Sequence, residues 1–507
     1  MRSVSTATPV PLAVVESGRL AGLWDGDVAV FRGVPFAAPP VGPGRWRPPQ
    51  PADRWDGRRA ASRFGPAPLQ PQPRRNSIMF QANFADRHEL AMSEDCLYLN
   101  ISTPEPAAGA SLPVMVWVHG GGNRYGYGSQ DIHDPRNLTR RGIVVVTFNY
   151  RLGALGFLAH PELSREDDLE ASGNYGLLDI VAALRWVAAN ISAFGGDPGR
   201  VTVAGNSAGA AHICHLMGAP AARGLFCRAV GQSSSGFDRA EGGMPTQAEA
   251  QARGVAFADS LGLPGLAALR QVSGLELAGV GHFGPVIDGR ALTRDTQQVF
   301  ASGEQAAVPL LVGSNRDEGS VYTQPAAADE VAAQAAASAD GAFGRIYPAT
   351  DEASRRRSAR LYTGDTRFVW PVWRWAVTHA TTSPAPAFLY RFEREPPLPP
   401  DLALAHPPDG GEGYGVFHSA ELPYMWDNLW VHPWPWQATD HELARLMADA
   451  WVRFVQTGDP NGPGLPPWPS LRSQPDPVVM RFAERPGPAA PYRLAAMRFL
   501  DARQLKV

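Results

Sequence analysis

Cysteine is scarce: Cys96, Cys214 and Cys227 are the only three in 507 residues. None forms a CxxC pair, so neither a zinc site nor a disulfide framework has support, and reduced thiols in a cytoplasmic protein are the expectation. Charge of one sign is lacking too. Lys and Arg total 46 against 49 Asp and Glu, a formal net charge of −3, which gives no general attraction to nucleic acid or anionic membrane. No run of 18 apolar residues occurs, which argues against a membrane anchor. The opening MRSVSTATPVPLAVVESG has one Arg and a short apolar stretch broken by Pro9 and Pro11, a poor secretory signal. No segment repeats at a fixed period. What is plentiful is apolar side chain, 44% against 19% charged, as in a globular chain with a large core. At roughly 150 residues per domain the length suggests about three, but α/β sheets often grow larger as single units.

The N-terminal third reads as short β segments joined by Pro-rich connections such as PVGPGRWRPPQP (40–51). LPVMVWVHGGG (112–122) and GIVVVTFNY (142–150) are nearly continuous in apolar and β-branched residues, which suits strands buried on both faces. In GLLDIVAALRWVAANI (176–191), Leu177, Ile180, Val181, Leu184, Val187 and Ala188 recur at helical spacing. VTVAG then reads as a strand, SAGAAHICHLMG as a helix ending near Gly218, and VPLLVGSN (308–315) as a later strand. Alternation of this kind predicts an α/β fold with a mostly parallel sheet and helices on both faces. Residues 325–340 are Ala-rich and read as a surface helix; 395–412 are Pro- and Gly-rich and read as a long loop. Neither looks like a linker, because candidate catalytic pieces lie on both sides, so residues 1–507 are expected to form one unit.

The pentapeptide Gly205-Asn206-Ser207-Ala208-Gly209 is G-x-S-x-G, of which about 0.3 chance matches are expected in such a chain. Its context sharpens it: strand, pentapeptide, helix is the layout of a nucleophile elbow. The tight turn holds the Ser backbone at positive φ, and the positions two before and two after crowd each other, so both must be Gly. The bland alternative is a helix cap at Ser207. His119 to Gly122, HGGG, follows a buried strand and could bring backbone N–H groups to a bound carbonyl, together with the N–H of Ala208. An acid and a base should follow in the order Ser, Asp or Glu, His. Asp317 and Glu318 sit at the end of a strand, in GSNRDEGS. That order removes His282 and leaves His379, His406, His418, His432 and His441 as bases; the residues alone do not choose among them. No metal or organic cofactor is called for.

The chain resembles the type-B carboxylesterase family, the cholinesterase-like branch of the α/β-hydrolases, and its bacterial para-nitrobenzyl-esterase-like members. The resemblance spans about residues 14 to 500. It rests on FRGVPFAAPPVGPGRW (31–46), SEDCLYLNI (93–101), WVHGGG (117–122), NYRLGALGFL (149–158), residues 173–209, GSNRDEGS (313–320), HSAELPY (418–424) and TGDPN (457–461). It implies an α/β-hydrolase fold and a triad of Ser207, Glu318 and His418. It implies oxyanion donors at the N–H groups of Gly121, Gly122 and Ala208, and two internal ion pairs, Arg45 with Glu94 and Arg151 with Asp179. Three residues around the site depart from the family: Asn206 replaces a Glu, Asn123 an aromatic, and Ser419 the Gly after the His. Cys96 matches a family half-cystine whose upstream partner is missing from FGPAPLQ (64–70).

What the resemblance implies is hydrolysis of small-molecule carboxylic esters through an acyl-enzyme. Such an enzyme slows as the pH drops through the range where an ordinary imidazole protonates, about 6.5. The same triad would also serve acyl transfer, lactonisation or ring closure, and some cholinesterase-like proteins are non-catalytic binding modules. Asn206, Asn123 and Ser419 read as residues that tune the site from behind. The Trp-rich segments 366–377 and 422–436 correspond to regions that line the family's gorge; ordinary core packing is the alternative. The oligomeric state is not encoded in any motif.

Overall fold

The computed structural model describes residues 9–238, 243–402, 404, 405, 407, 410, 413–473 and 477–504. Its largest sheet has eleven strands. In chain order they are β1 (Leu23–Asp25), β2 (Val28–Pro35), β3 (Tyr98–Thr103), β4 (Leu112–Val118), β5 (Val144–Phe148), β6 (Gly196–Asn206), β7 (Arg228–Gln232), β8 (Leu310–Asn315), β9 (Ala387–Phe392), β10 (Val479–Phe482) and β11 (Gly487–Ala489). Across the sheet the order is β11-β10-β9-β8-β7-β6-β4-β5-β3-β2-β1. All pairs from β5 to β10 are parallel. The flanking pairs β5/β3, β3/β2, β2/β1 and β10/β11 are antiparallel. The principal helices are α1 (Tyr175–Asn190), α2 (Ala208–Gly218), α3 (Gln247–Ser260), α4 (Ala327–Ala337), α5 (Trp370–Thr382) and α6 (Ala438–Thr457).

Strand period two divides the core. Val114, Val116 and Val118 of β4 point to one face, where they meet α1, α2 and α5. Met115 and Trp117 point to the other, where they meet Leu443, Met447 and Trp451 of α6. With helices on both faces the central strands need no polar side, which is why their sequences run apolar without alternation. α1, with the turn that follows it, is long and apolar enough to cross a membrane, yet Leu177, Ile180, Leu184 and Val187 are wholly buried in the sheet core. Asp179 on α1 holds Arg151 through bonds of 2.8 and 2.7 Å, both side chains being almost inaccessible. Arg45 and Glu94 form the other expected pair at 2.7 Å.

The Ala-rich segment forms α4, with Val331 its one buried residue. Of the segment 395–412, residues 395–402 carry no helix or strand, while 403, 406, 408, 409, 411 and 412 lie outside the described residues. All three cysteines are free. The Trp-rich segments are mostly core: Trp370, Trp375 and Trp426 are fully buried.

Candidate active site

Ser207 sits where β6 ends and α2 begins, at φ 56° and ψ −127°. Few residues other than Gly tolerate that region, so the turn stores backbone strain. The flanking glycines are required by contact. A Cβ on Gly205 would lie 2.6 Å from the Val118 carbonyl oxygen and 3.0 Å from Gly209, and one on Gly209 would lie 2.1 Å from the same oxygen. Ser207 N–H donates to the Gln232 carbonyl at 2.7 Å. The N-terminus of α2, with Ala208 as its first residue, therefore opens beside the serine.

The glycine loop leaves β4, the neighbour of β6, and folds over the same point. A Cβ on Gly120 would meet the Asn206 carbonyl oxygen at 2.7 Å and the Ser207 side chain at 3.0 Å. Gly121 and Gly122 have φ of 117° and 62°, and Asn123 follows at 59°. Behind the loop, the buried Tyr150 hydroxyl donates to the His119 carbonyl at 2.9 Å. Burial lowers the His119 imidazole to about 4.

Of the acidic and histidine candidates, Glu318 and His418 are brought together. Glu318 Oε2 lies 2.6 Å from His418 Nδ1, and Glu318 Oε1 accepts the N–H of Asn315 at 2.7 Å. Both side chains are fully buried. Asp317 instead turns outward, to the N–H of Val416 and the guanidinium of Arg316. His379 bonds the Val308 carbonyl and His432 the Ala82 carbonyl, both away from Ser207, while His441 and His282 are exposed. His406 lies outside the described residues. His418 Nε2 makes no hydrogen bond among the described residues. Phe368 packs on the His418 ring at 4.5 Å and Tyr322 meets it edge-on at 5.2 Å. Burial pushes the Tyr322 phenol up to about 12, with Arg367 and the Ser207 hydroxyl opposing.

Two departures from the family turn out to be partners. Ser419 has φ 70°, where Gly is at ease and Ser is not. Its hydroxyl donates to Asn206 Oδ1 at 2.8 Å, which ties the residue after His418 to the residue before Ser207. Asn206 Nδ2 donates to Glu421 Oε1 at 3.1 Å. Glu421 also accepts from Gln232 at 3.0 Å and Asn315 at 2.6 Å, so three amides surround one buried carboxylate. Burial first, then the Glu318 charge, raise the Glu421 carboxyl above the usual range. A carboxylate at position 206 would face Glu421 at this distance; an amide can donate to it. The third departure, Asn123, accepts from His212 Nε2 at 2.7 Å. Motif reading did not single out Glu421, Tyr322, Phe368 or His212. The one available signal was Glu421's place in HSAELPY.

A buried imidazole held by a carboxylate, a strained serine at a helix N-terminus and a glycine loop above it are the parts of a serine hydrolase. Comparison with known proteins agrees. The model of the carboxylesterase family matches residues 9–499. The chain is 35% identical to a fumonisin B1 esterase of Sphingopyxis macrogoltabida, over 95% of this chain and 90% of that one. It is 32% identical to the para-nitrobenzyl esterase of Bacillus subtilis strain 168, over 91% and 93%. Among solved structures, the Geobacillus stearothermophilus carboxylesterase EST55 superimposes with a TM-score of 0.80 at 31% identity, covering 96% of this chain and 99% of that one. The chain belongs to the carboxylesterase family. It has the α/β-hydrolase fold, and its activity is the hydrolysis of carboxylic esters.

Proposed function

We propose that Ser207, His418 and Glu318 carry this hydrolysis. His418 takes the Ser207 proton as Oγ attacks the ester carbonyl, and the N–H groups of Gly121, Gly122 and Ala208 receive the oxyanion. The protonated His418 then releases the alcohol. Water attacks the acyl-enzyme with His418 again as base, and Glu318 holds the imidazole tautomer and stabilises its charged form. The observation that carries this reading is the 2.6 Å contact of Glu318 with His418 in a wholly buried setting, in a chain that also holds Ser207 in a strained turn. Substrates are small esters; the relatives are an esterase named for fumonisin B1 and one named for para-nitrobenzyl esters. A cytoplasmic setting belongs to the proposal, since the three free thiols suit a reducing compartment.

The test is labelling of the folded protein by a fluorophosphonate, with Ser207 as the modified residue, alongside turnover of an ester series. Ser207→Ala should abolish both. Glu318→Gln should keep the fold and lower kcat by on the order of 10³–10⁴. Full activity in Glu318→Gln, or labelling elsewhere, refutes the assignment.

A further inference from the structure

Tyr322 follows directly on the 3-10 turn Glu318–Val321 that carries the acid. That turn is pinned by contact. A Cβ on Gly319 would lie 2.0 Å from the Arg360 carbonyl oxygen, and the Gly319 carbonyl accepts the N–H groups of Tyr322 at 3.1 Å and Thr323 at 2.9 Å. The Tyr322 ring is held in turn by its neighbours. Phe368 packs against it at 5.0 Å, His418 meets it edge-on at 5.2 Å, and the Arg367 guanidinium lies 5.5 Å from its centroid. So placed, the phenol is a hydrogen-bonding neighbour of the Ser207 hydroxyl. One turn supplies both the acid that holds His418 and a hydroxyl at the nucleophile.

The phenol is a donor there. Burial pushes it up to about 12, so it keeps its proton across neutral pH. The Arg367 charge opposes that rise, which makes the O–H a stronger donor. Ser207 Oγ can give its own proton to His418 and still accept one from the phenol.

We propose that Tyr322 is a further catalytic residue, whose O–H donates to Ser207 Oγ and speeds release of the acyl group from the serine. This deepens the triad reading and rests on it. In the free enzyme the phenol already meets the serine hydroxyl, so attack on the ester gains little from it. In the acyl-enzyme Oγ is an ester oxygen, its lone pair is shared with the carbonyl, and it accepts poorly. As water adds, the acyl carbon becomes tetrahedral, the lone pair returns to Oγ, and the bond from Tyr322 strengthens. The water oxygen bonds the acyl carbon, its proton passes to His418 and on to Oγ, and the C–Oγ bond breaks. Tyr322 keeps its own proton throughout.

The experiment separates the two half-reactions with p-nitrophenyl dimethylcarbamate. Release of p-nitrophenol measures attack by Ser207; after the excess is removed, the return of esterase activity measures release of the carbamoyl group. In Tyr322→Phe, which deletes one oxygen and keeps the ring, recovery should slow on the order of tenfold. Carbamoylation should change by less than about threefold. Position 322 filled with 3-fluorotyrosine keeps the hydroxyl and makes its proton more acidic, so recovery should be at least as fast as in the wild type, whether or not Tyr322→Phe folds. Wild-type recovery in Tyr322→Phe, an equal loss in both half-reactions, or slow recovery with 3-fluorotyrosine overturns the proposal; an equal loss would reduce Tyr322 to packing on His418. In each of these, fluorophosphonate labelling of Ser207 in the wild type keeps the triad reading. If the wild type is neither carbamoylated nor labelled at Ser207, both fall.

Discussion

At the scale of single residues the site is decided by which polar atoms find partners. Asn206 uses its whole side chain: Nδ2 on Glu421 and the Gln232 carbonyl, Oδ1 on the Ser419 hydroxyl. Asn206→Ala removes all three bonds and leaves Glu421 with two amide donors. Stability should fall by about 2–4 kcal/mol, read as a shift in the urea midpoint. Activity should drop without vanishing, because none of these atoms touches the reacting bond. Complete inactivity in a folded Asn206→Ala would make Asn206 part of the catalytic machinery. Asn206→Asp should be worse for stability than Asn206→Ala, since it sets a carboxylate against the buried Glu421. Part of this was legible beforehand. That positions 206, 123 and 419 depart from the family could be seen in the chain; that 206 and 419 bond each other, and that 123 bonds His212, could not, because 213 residues separate one pair and 89 the other.

At the scale of elements, the strand–turn–helix around Ser207 works because β4 and β6 are neighbours and the turn presses against the Val118 carbonyl. Gly209→Ala places a methyl 2.1 Å from that oxygen. Backbone cannot yield as a side chain can, so the variant should lose both stability and fluorophosphonate labelling; a folded, normally labelled protein would show that the elbow has slack. α1 is held differently. Asp179→Asn leaves Arg151 buried without a counter-charge and should cost about 3–5 kcal/mol in chemical denaturation. A loss below about 1 kcal/mol would mean that water reaches the pair. The strands and helices of this half of the chain were readable from their periods, since both faces of the sheet are covered and apolar runs must follow. The 3-10 turn Glu318–Val321 and the π-helical stretch Asp365–Val369, which bring Tyr322 and Phe368 to His418, have no comparable sequence signature.

For the molecule as a whole, acid is the natural stress. Burial lowers His119, His379 and His432 to about 4. Below about pH 6.5 the unfolded chain takes up protons at these positions, while the folded chain resists until about 4. Stability therefore falls as the pH drops through that window. Tm measured at pH 7.5, 5.5 and 4.5 should decline, and His379→Gln, which can still donate to the Val308 carbonyl, should decline less steeply. An identical slope in the variant would remove His379 from the account. The chain by itself determined the layered α/β architecture and marked Ser207 as the candidate nucleophile, because hydrophobic period and the steric need for glycine are local properties. It also narrowed the acid to two adjacent residues and the base to five histidines, with family resemblance naming Glu318 and His418. Which acid meets which histidine was decided only by the fold. Side-chain direction at the end of β8 sends Glu318 inward to His418 and Asp317 outward to Arg316, and that direction is set by packing across a hundred residues of sequence.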